Sequence, residues 1–116
     1  MSGPEGFPPN GLIEMREHRR TDTIVLSLLG ELDLGTAVPV QQRLAELRDA
    51  RQAVVLDLDG LTFMDSTGIR LVLSACEDAL ERDWSFHVTR GSERVRHVLK
   101  AAQVIDRLPY DDDSGR

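Results

Sequence analysis

Ala53-Val54-Val55-Leu56-Asp57-Leu58 is the most continuous apolar stretch of the chain. A run of this kind reads as a parallel strand covered on both faces, which places it at the centre of a sheet. Downstream, a helix opens within Asp65-Ser66-Thr67-Gly68 and runs to about Arg82, with Ile69, Val72, Leu73, Cys76, Ala79 and Leu80 at helical spacing. Upstream, Val40, Leu44 and Leu47 recur at i, i+4 and i+7 and give a second helix one apolar face. Thr36 is its expected N-cap, and Pro39 falls in the first turn, where a missing N–H deprives the helix of nothing.

Further out, Leu12–His18 alternates and Thr23–Leu29 is rich in β-branched and aliphatic residues. With Arg19-Arg20-Thr21-Asp22 between them, the two predict an antiparallel hairpin. Trp84–Thr89 has the aromatic and β-branched content of a strand. Ser92 and Glu93 then open a third helix with Val95, Val98, Leu99 and Ala102 on one side, and a short apolar piece, Val104–Leu108, follows. The order is strand, strand, helix, strand, helix, strand, helix. With right-handed crossovers it specifies an α/β fold: a mixed, mainly parallel sheet of four to five strands with helices packed on it.

Residues 1–11, with three prolines and three glycines, read as a flexible N-terminal tail, residues 12–108 as the domain, and residues 109–116 as an acidic C-terminal tail. A length of 116 residues fits one domain, and 41% apolar with 29% charged residues fits a soluble globular class. One cysteine, Cys76, excludes an intrachain disulfide framework and zinc sites built from several thiolates, and predicts a reducing, cytoplasmic setting. No apolar run approaches the roughly 20 residues needed to span a bilayer. Twenty acidic against 14 basic residues leave a formal charge of -6, which argues against nucleic acid and anionic lipid as partners.

In open α/β sheets function collects at the carboxyl ends of parallel strands. Asp33 is expected there after the second strand, and Asp65-Ser66-Thr67-Gly68 after the third. Asp33 either stands beside the third strand's end or serves only to cap the first helix. A serine opening a helix has two readings: its hydroxyl caps the helix, or it is an exposed phosphorylation site where the helix N-terminus tolerates a phosphate.

Gly30-Glu31-Leu32-Asp33 and, about 30 residues on, Leu56-Asp57-Leu58 leading through Phe63-Met64-Asp65-Ser66-Thr67-Gly68-Ile69 resemble the STAS-domain anti-sigma factor antagonists of bacteria. The resemblance covers roughly residues 12–108. It implies a chain whose unphosphorylated form binds an anti-sigma factor that is itself a serine kinase of the histidine-kinase-type ATPase fold, freeing a sigma factor. It also implies that phosphorylation reverses the binding. Matched residue by residue, Ser66 is the phosphoacceptor, flanked by Asp65 and Thr67 and completed by Gly68, with Asp33 nearby. Arg70 stands where many relatives carry a small residue, and its guanidinium is expected to pair with a phosphate or with Asp65. Thr67, where many relatives have a second serine, offers a stiffer second hydroxyl.

The expectation is therefore a binding module with no catalytic residues, no metal and no cofactor, monomeric when free. The alternative is a sensor module that takes a nucleotide or small anion at the Ser66 helix N-terminus; a chain with no transporter or sensor domain attached favours the antagonist. Serine hydrolysis lacks a placed base, since His18, His87 and His97 fall on a strand edge, a strand and a helix, with no Gly-x-Ser-x-Gly elbow. Asp57, Asp59 and Asp65 are read as strand-end polar groups rather than cation ligands, and Arg90, Arg94, Arg96 and Lys100 as a solvated basic face. Cys76 is assigned to the core and Trp84 to a gap between helix and sheet.

Overall fold

The computed structural model describes residues 8, 9 and 11–111. Four strands, β1 (Ile13–Arg20), β2 (Thr23–Leu32), β3 (Ala53–Met64) and β4 (Phe86–Val88), form one sheet in the order β1-β2-β3-β4. β1 pairs antiparallel with β2, and β2, β3 and β4 run parallel. Helix α1 (Ala37–Asp49) links β2 to β3, α2 (Ser66–Arg82) links β3 to β4, and α3 (Glu93–Ala101) leads into a 3₁₀ turn at Ile105–Arg107.

Ile24, Leu26 and Leu28 of β2, Val54, Leu56 and Leu58 of β3, and Phe86 and Val88 of β4 enter one core. That core is closed by Val40, Leu44 and Leu47 of α1, Leu71, Val72 and Ala75 of α2, Val95 and Leu99 of α3, then Val104 and Leu108. The intervening residues make the opposite face, where His18, Val25, Val55 and His87 share one row. Here the expectation that β3 is covered on both faces is corrected. Among the described residues helices cover only one, and Val55, although 3% exposed, stands among strand neighbours and the incoming C-terminal segment rather than under a helix.

β3 continues six residues beyond Leu58. Its pairing with β2 slips twice, between Ser27/Leu29 and between Gly30/Glu31, so β3 holds one more residue than β2 at each slip. These bulges turn the inward period from two to three, and Leu58, Leu61 and Met64 all point into the core. Gly30 sits opposite at φ +111°, and a β-carbon there would strike the carbonyl of Leu12, so only glycine suits this crossing.

Two further expectations change. Leu80, assigned to the apolar face of α2, is 87% exposed, whereas Gly68, Leu71 and Ala75 are buried with Val72; Ile69, Leu73, Cys76 and Ala79 are partly buried along the flank. Trp84 is buried as expected, its indole N–H donating to the Gln52 carbonyl at 2.7 Å and its ring 5.1 Å from that of Phe86, but it precedes β4 rather than belonging to it.

Of the N-terminal stretch, residues 1–7 and 10 lie outside the described residues; Pro9 accepts a hydrogen bond from the Leu12 N–H. At the other end, residues 112–116 lie outside them too, while 109–111 are held to the sheet. The Pro109 carbonyl accepts from Val88 N–H at 3.0 Å, Asp111 N–H donates to the Val88 carbonyl at 2.9 Å, and Arg20 reaches Asp111 at 3.0 Å. Arg90 lies over the Tyr110 ring, 4.4 Å from its centre. No helix among the described residues is long and apolar enough to cross a membrane.

Candidate functional site

The last paired residues of β2 and β3 are Leu32 and Met64. Asp33 and Asp65 therefore leave the sheet together, and Asp65 N–H donates back to the Leu32 carbonyl at 3.3 Å. After that the two acids do different work. Asp33 builds the turn into α1: its N–H donates to Thr36 Oγ1 at 2.9 Å, and its Oδ1 accepts from Gly35 N–H at 2.9 Å. Thr36 occupies the N-cap position, but its side chain makes no capping bond; its hydroxyl donates to the Glu31 carbonyl at 2.7 Å. The expected Thr36 cap is thus replaced by a hydroxyl that fastens the turn to the end of β2.

Asp65 is the N-cap of α2, its carboxylate accepting from Thr67 N–H at 2.8 Å and Gly68 N–H at 3.4 Å. This overturns the reading in which the Ser66 hydroxyl caps the helix. Ser66 is the first helical residue, exposed, and its hydroxyl bonds to no described residue. Thr67 is half-buried beside it. A β-carbon on Gly68 would collide with Met64 and stand 3.1 Å from Leu32, so the helix approaches the strand ends as closely as it does only because residue 68 has no side chain.

Arg70 is exposed and forms no ion pair among the described residues, so the expected pairing with Asp65 is not made; Asp65 is engaged by backbone N–H groups instead. Leu34 in the turn before α1, Val38 in its first turn and Phe63 near the end of β3 leave large apolar surfaces exposed at this same end of the molecule. Sequence reasoning missed these three. An apolar residue inside an otherwise polar turn, as Leu34 is, was the available signal.

The remaining candidates are occupied elsewhere. Asp57 accepts from Ser27 Oγ at 2.8 Å and Asp59 N–H at 2.9 Å, while Asp59 accepts from Thr89 Oγ1 at 2.8 Å and Gly91 N–H at 3.0 Å, tying β3 to the β4–α3 connection. No cluster of three His, Cys, Asp or Glu among the described residues is placed to hold a metal. Burial pushes the Cys76 thiol above its ordinary value, and the charge of Glu77 adds to this, so it is not an activated nucleophile.

The arrangement is thus an exposed, unbonded serine at a helix N-terminus beyond the carboxyl ends of two parallel strands, with Asp65 before it in the chain and Asp33 at the neighbouring strand end. Residues 13–115 match the family model of the STAS domain. The anti-sigma F factor antagonist of Paenibacillus polymyxa is 30% identical over 87% of this chain and 87% of its own length. The chain belongs to the STAS-domain anti-sigma factor antagonist family. The same fold is seen in an anti-sigma factor antagonist from Mycobacterium paratuberculosis, with a TM-score of 0.76 and 23% identity over 91% of this chain and 90% of that one. The unphosphorylated form of the antagonist SpoIIAA matches this STAS domain with a TM-score of 0.62 and 25% identity, over 80% of this chain and 84% of that one.

Proposed function

We propose that this STAS domain acts as a phosphorylation-controlled anti-sigma factor antagonist in the cytoplasm, with no catalytic activity of its own. Its unphosphorylated form binds an anti-sigma factor serine kinase of the histidine-kinase-type ATPase fold and displaces the sigma factor held there. The single observation that carries the proposal is the division of labour at residues 65 and 66. Asp65 satisfies the N–H groups of α2, and the Ser66 hydroxyl is left exposed and uncommitted. Transfer of the γ-phosphoryl group of ATP to Ser66 Oγ, with loss of the hydroxyl proton, yields phosphoserine and ADP without breaking any hydrogen bond of the fold. The reading is supported by SpoIIAA, a protein of this fold that has been determined in both an unphosphorylated and a phosphorylated form.

The partner surface in this reading comprises Asp33, Asp65, Ser66, Thr67, Gly68 and Arg70, with the exposed apolar Leu34, Val38 and Phe63 beside them. A phosphate adds about -1.5 to -2 charges next to Asp33 and Asp65 and opposes an interface built on them. The test is incubation with a cognate anti-sigma kinase and ATP followed by mass spectrometry. The expected result is one phosphate on Ser66, none on Ser66→Ala, and retained kinase binding by that variant. Phosphate on Thr67 alone would refute the proposal. Ser66→Asp keeps the fold, since an acid is favourable at a helix N-terminus, and binds the kinase more weakly.

A further inference from the structure

In the first two turns of α2, Gly68, Leu71 and Val72 face the core while Ser66 and Arg70 are exposed. Residues four apart on a helix are neighbours, with β-carbons about 5–6 Å apart, and an anion placed N-terminal to a cation at this spacing is the favourable order. Arg70 has no carboxylate partner among the described residues, unlike Arg16, Arg20, Arg43, Arg48 and Arg82 but like Arg19, Arg51, Arg94 and Arg107; what sets it apart from these is its place one helical turn from Ser66. Asp65, the acid nearest to it in sequence, is turned onto the backbone of Thr67 and Gly68. An uncommitted guanidinium therefore stands one turn from an uncommitted hydroxyl.

We infer that Arg70 is the counter-ion of a phosphate on Ser66, so that one modification changes the surface twice. It adds an anion and also withdraws from the partner a cation that the unmodified protein presents. A guanidinium matches phosphate oxygens in a two-pronged arrangement, and a phosphate at this position is doubly favoured by the helix end and by the arginine. The inference rests on the reading of Ser66 as phosphoacceptor, and it concerns what the rest of the chain does once the phosphate is there.

The test uses the full chain with phosphoserine installed at position 66 during translation, so no kinase is involved. Phosphorus NMR titration follows the second ionisation of the phosphate in this protein and in Arg70→Gln and Arg70→Lys. Asp33 and Asp65 act on the phosphate in all three, so the comparison isolates the guanidinium. The expected pKa is at least about 0.3 unit lower with Arg70 than with Gln, the lysine variant falling between, and the difference shrinks in high salt. Arg70 is exposed, so the variants keep the fold. Equal values in all three overturn the inference. Failure of a kinase and ATP to modify Ser66 in the unmodified chain would instead overturn the phosphoacceptor reading, and mass spectrometry reads that separately.

Discussion

Asp65 and Ser66 are adjacent polar residues with opposite fates, one bonded to the helix backbone and one left exposed without a hydrogen bond to any described residue. Removing the cap with Asp65→Ala should cost about 1 kcal/mol in urea unfolding, while Asp65→Asn, which keeps an acceptor oxygen, should change stability by a few tenths at most. At Asp33 the corresponding contrast is functional. Asp33→Asn retains an acceptor for Gly35 N–H but loses the charge, so folded stability should stay within about 0.5 kcal/mol while Ser66 phosphorylation slows several-fold. An unchanged phosphorylation rate and kinase affinity would leave Asp33 with only its turn-building task. Gly68→Ala pushes a methyl group into Met64 and toward Leu32, and a drop of about 1–3 kcal/mol in thermal or urea unfolding is expected.

At the scale of elements, α2 shows why periodicity identifies a helix more readily than its orientation. The run Ile69-Arg70-Leu71-Val72-Leu73 offers apolar residues to more than one face, so stripes displaced by one position fit the sequence about equally well. Close approach of Gly68 to Met64 selects the stripe through Leu71 and Ala75 and leaves Leu80 outside. Leu71→Ala should therefore cost about 2–5 kcal/mol and Leu80→Ala less than about 0.5, a contrast that urea melts of the two variants would measure. The end of β3 was hidden for a different reason. A bulge shows itself only against a partner strand, and Asp59-Gly60 read alone looks like a stop rather than a slip in register. Between β1 and α1, hydrogen bonding to Arg43 holds the Glu17 carboxyl below its ordinary value. Such a group stabilises the folded state above its unfolded pKa and loses that contribution as the pH falls through its lowered one. Glu17→Gln should thus cost a few tenths of a kcal/mol at pH 7, less in high salt, and the gap from the parent protein should close as the pH falls below the ordinary carboxylate range and through the lowered pKa of Glu17.

For the whole molecule, the hairpin, the interior place of β3 and the alternation of strands with helices were legible because each element carries its own apolar pattern, whereas the sheet face left without helices was not. The motif Asp65–Gly68 and its position at a strand end were legible too. The task of each member was not, since which oxygen meets which N–H depends on backbone angles that adjacent polar residues do not specify. Nor did the acidic composition of residues 109–116 announce that Tyr110 lies alongside Val88. That contact has a bearing on self-association. β4 is only three residues long, and both backbone groups of Val88 on its outer side are taken by Pro109 and Asp111. Cutting the chain after Leu108 would uncover a donor and an acceptor beside an apolar core, the template on which a second strand adds. The shortened protein should accordingly appear as concentration-dependent oligomers in sedimentation velocity runs at concentrations where the full chain does not.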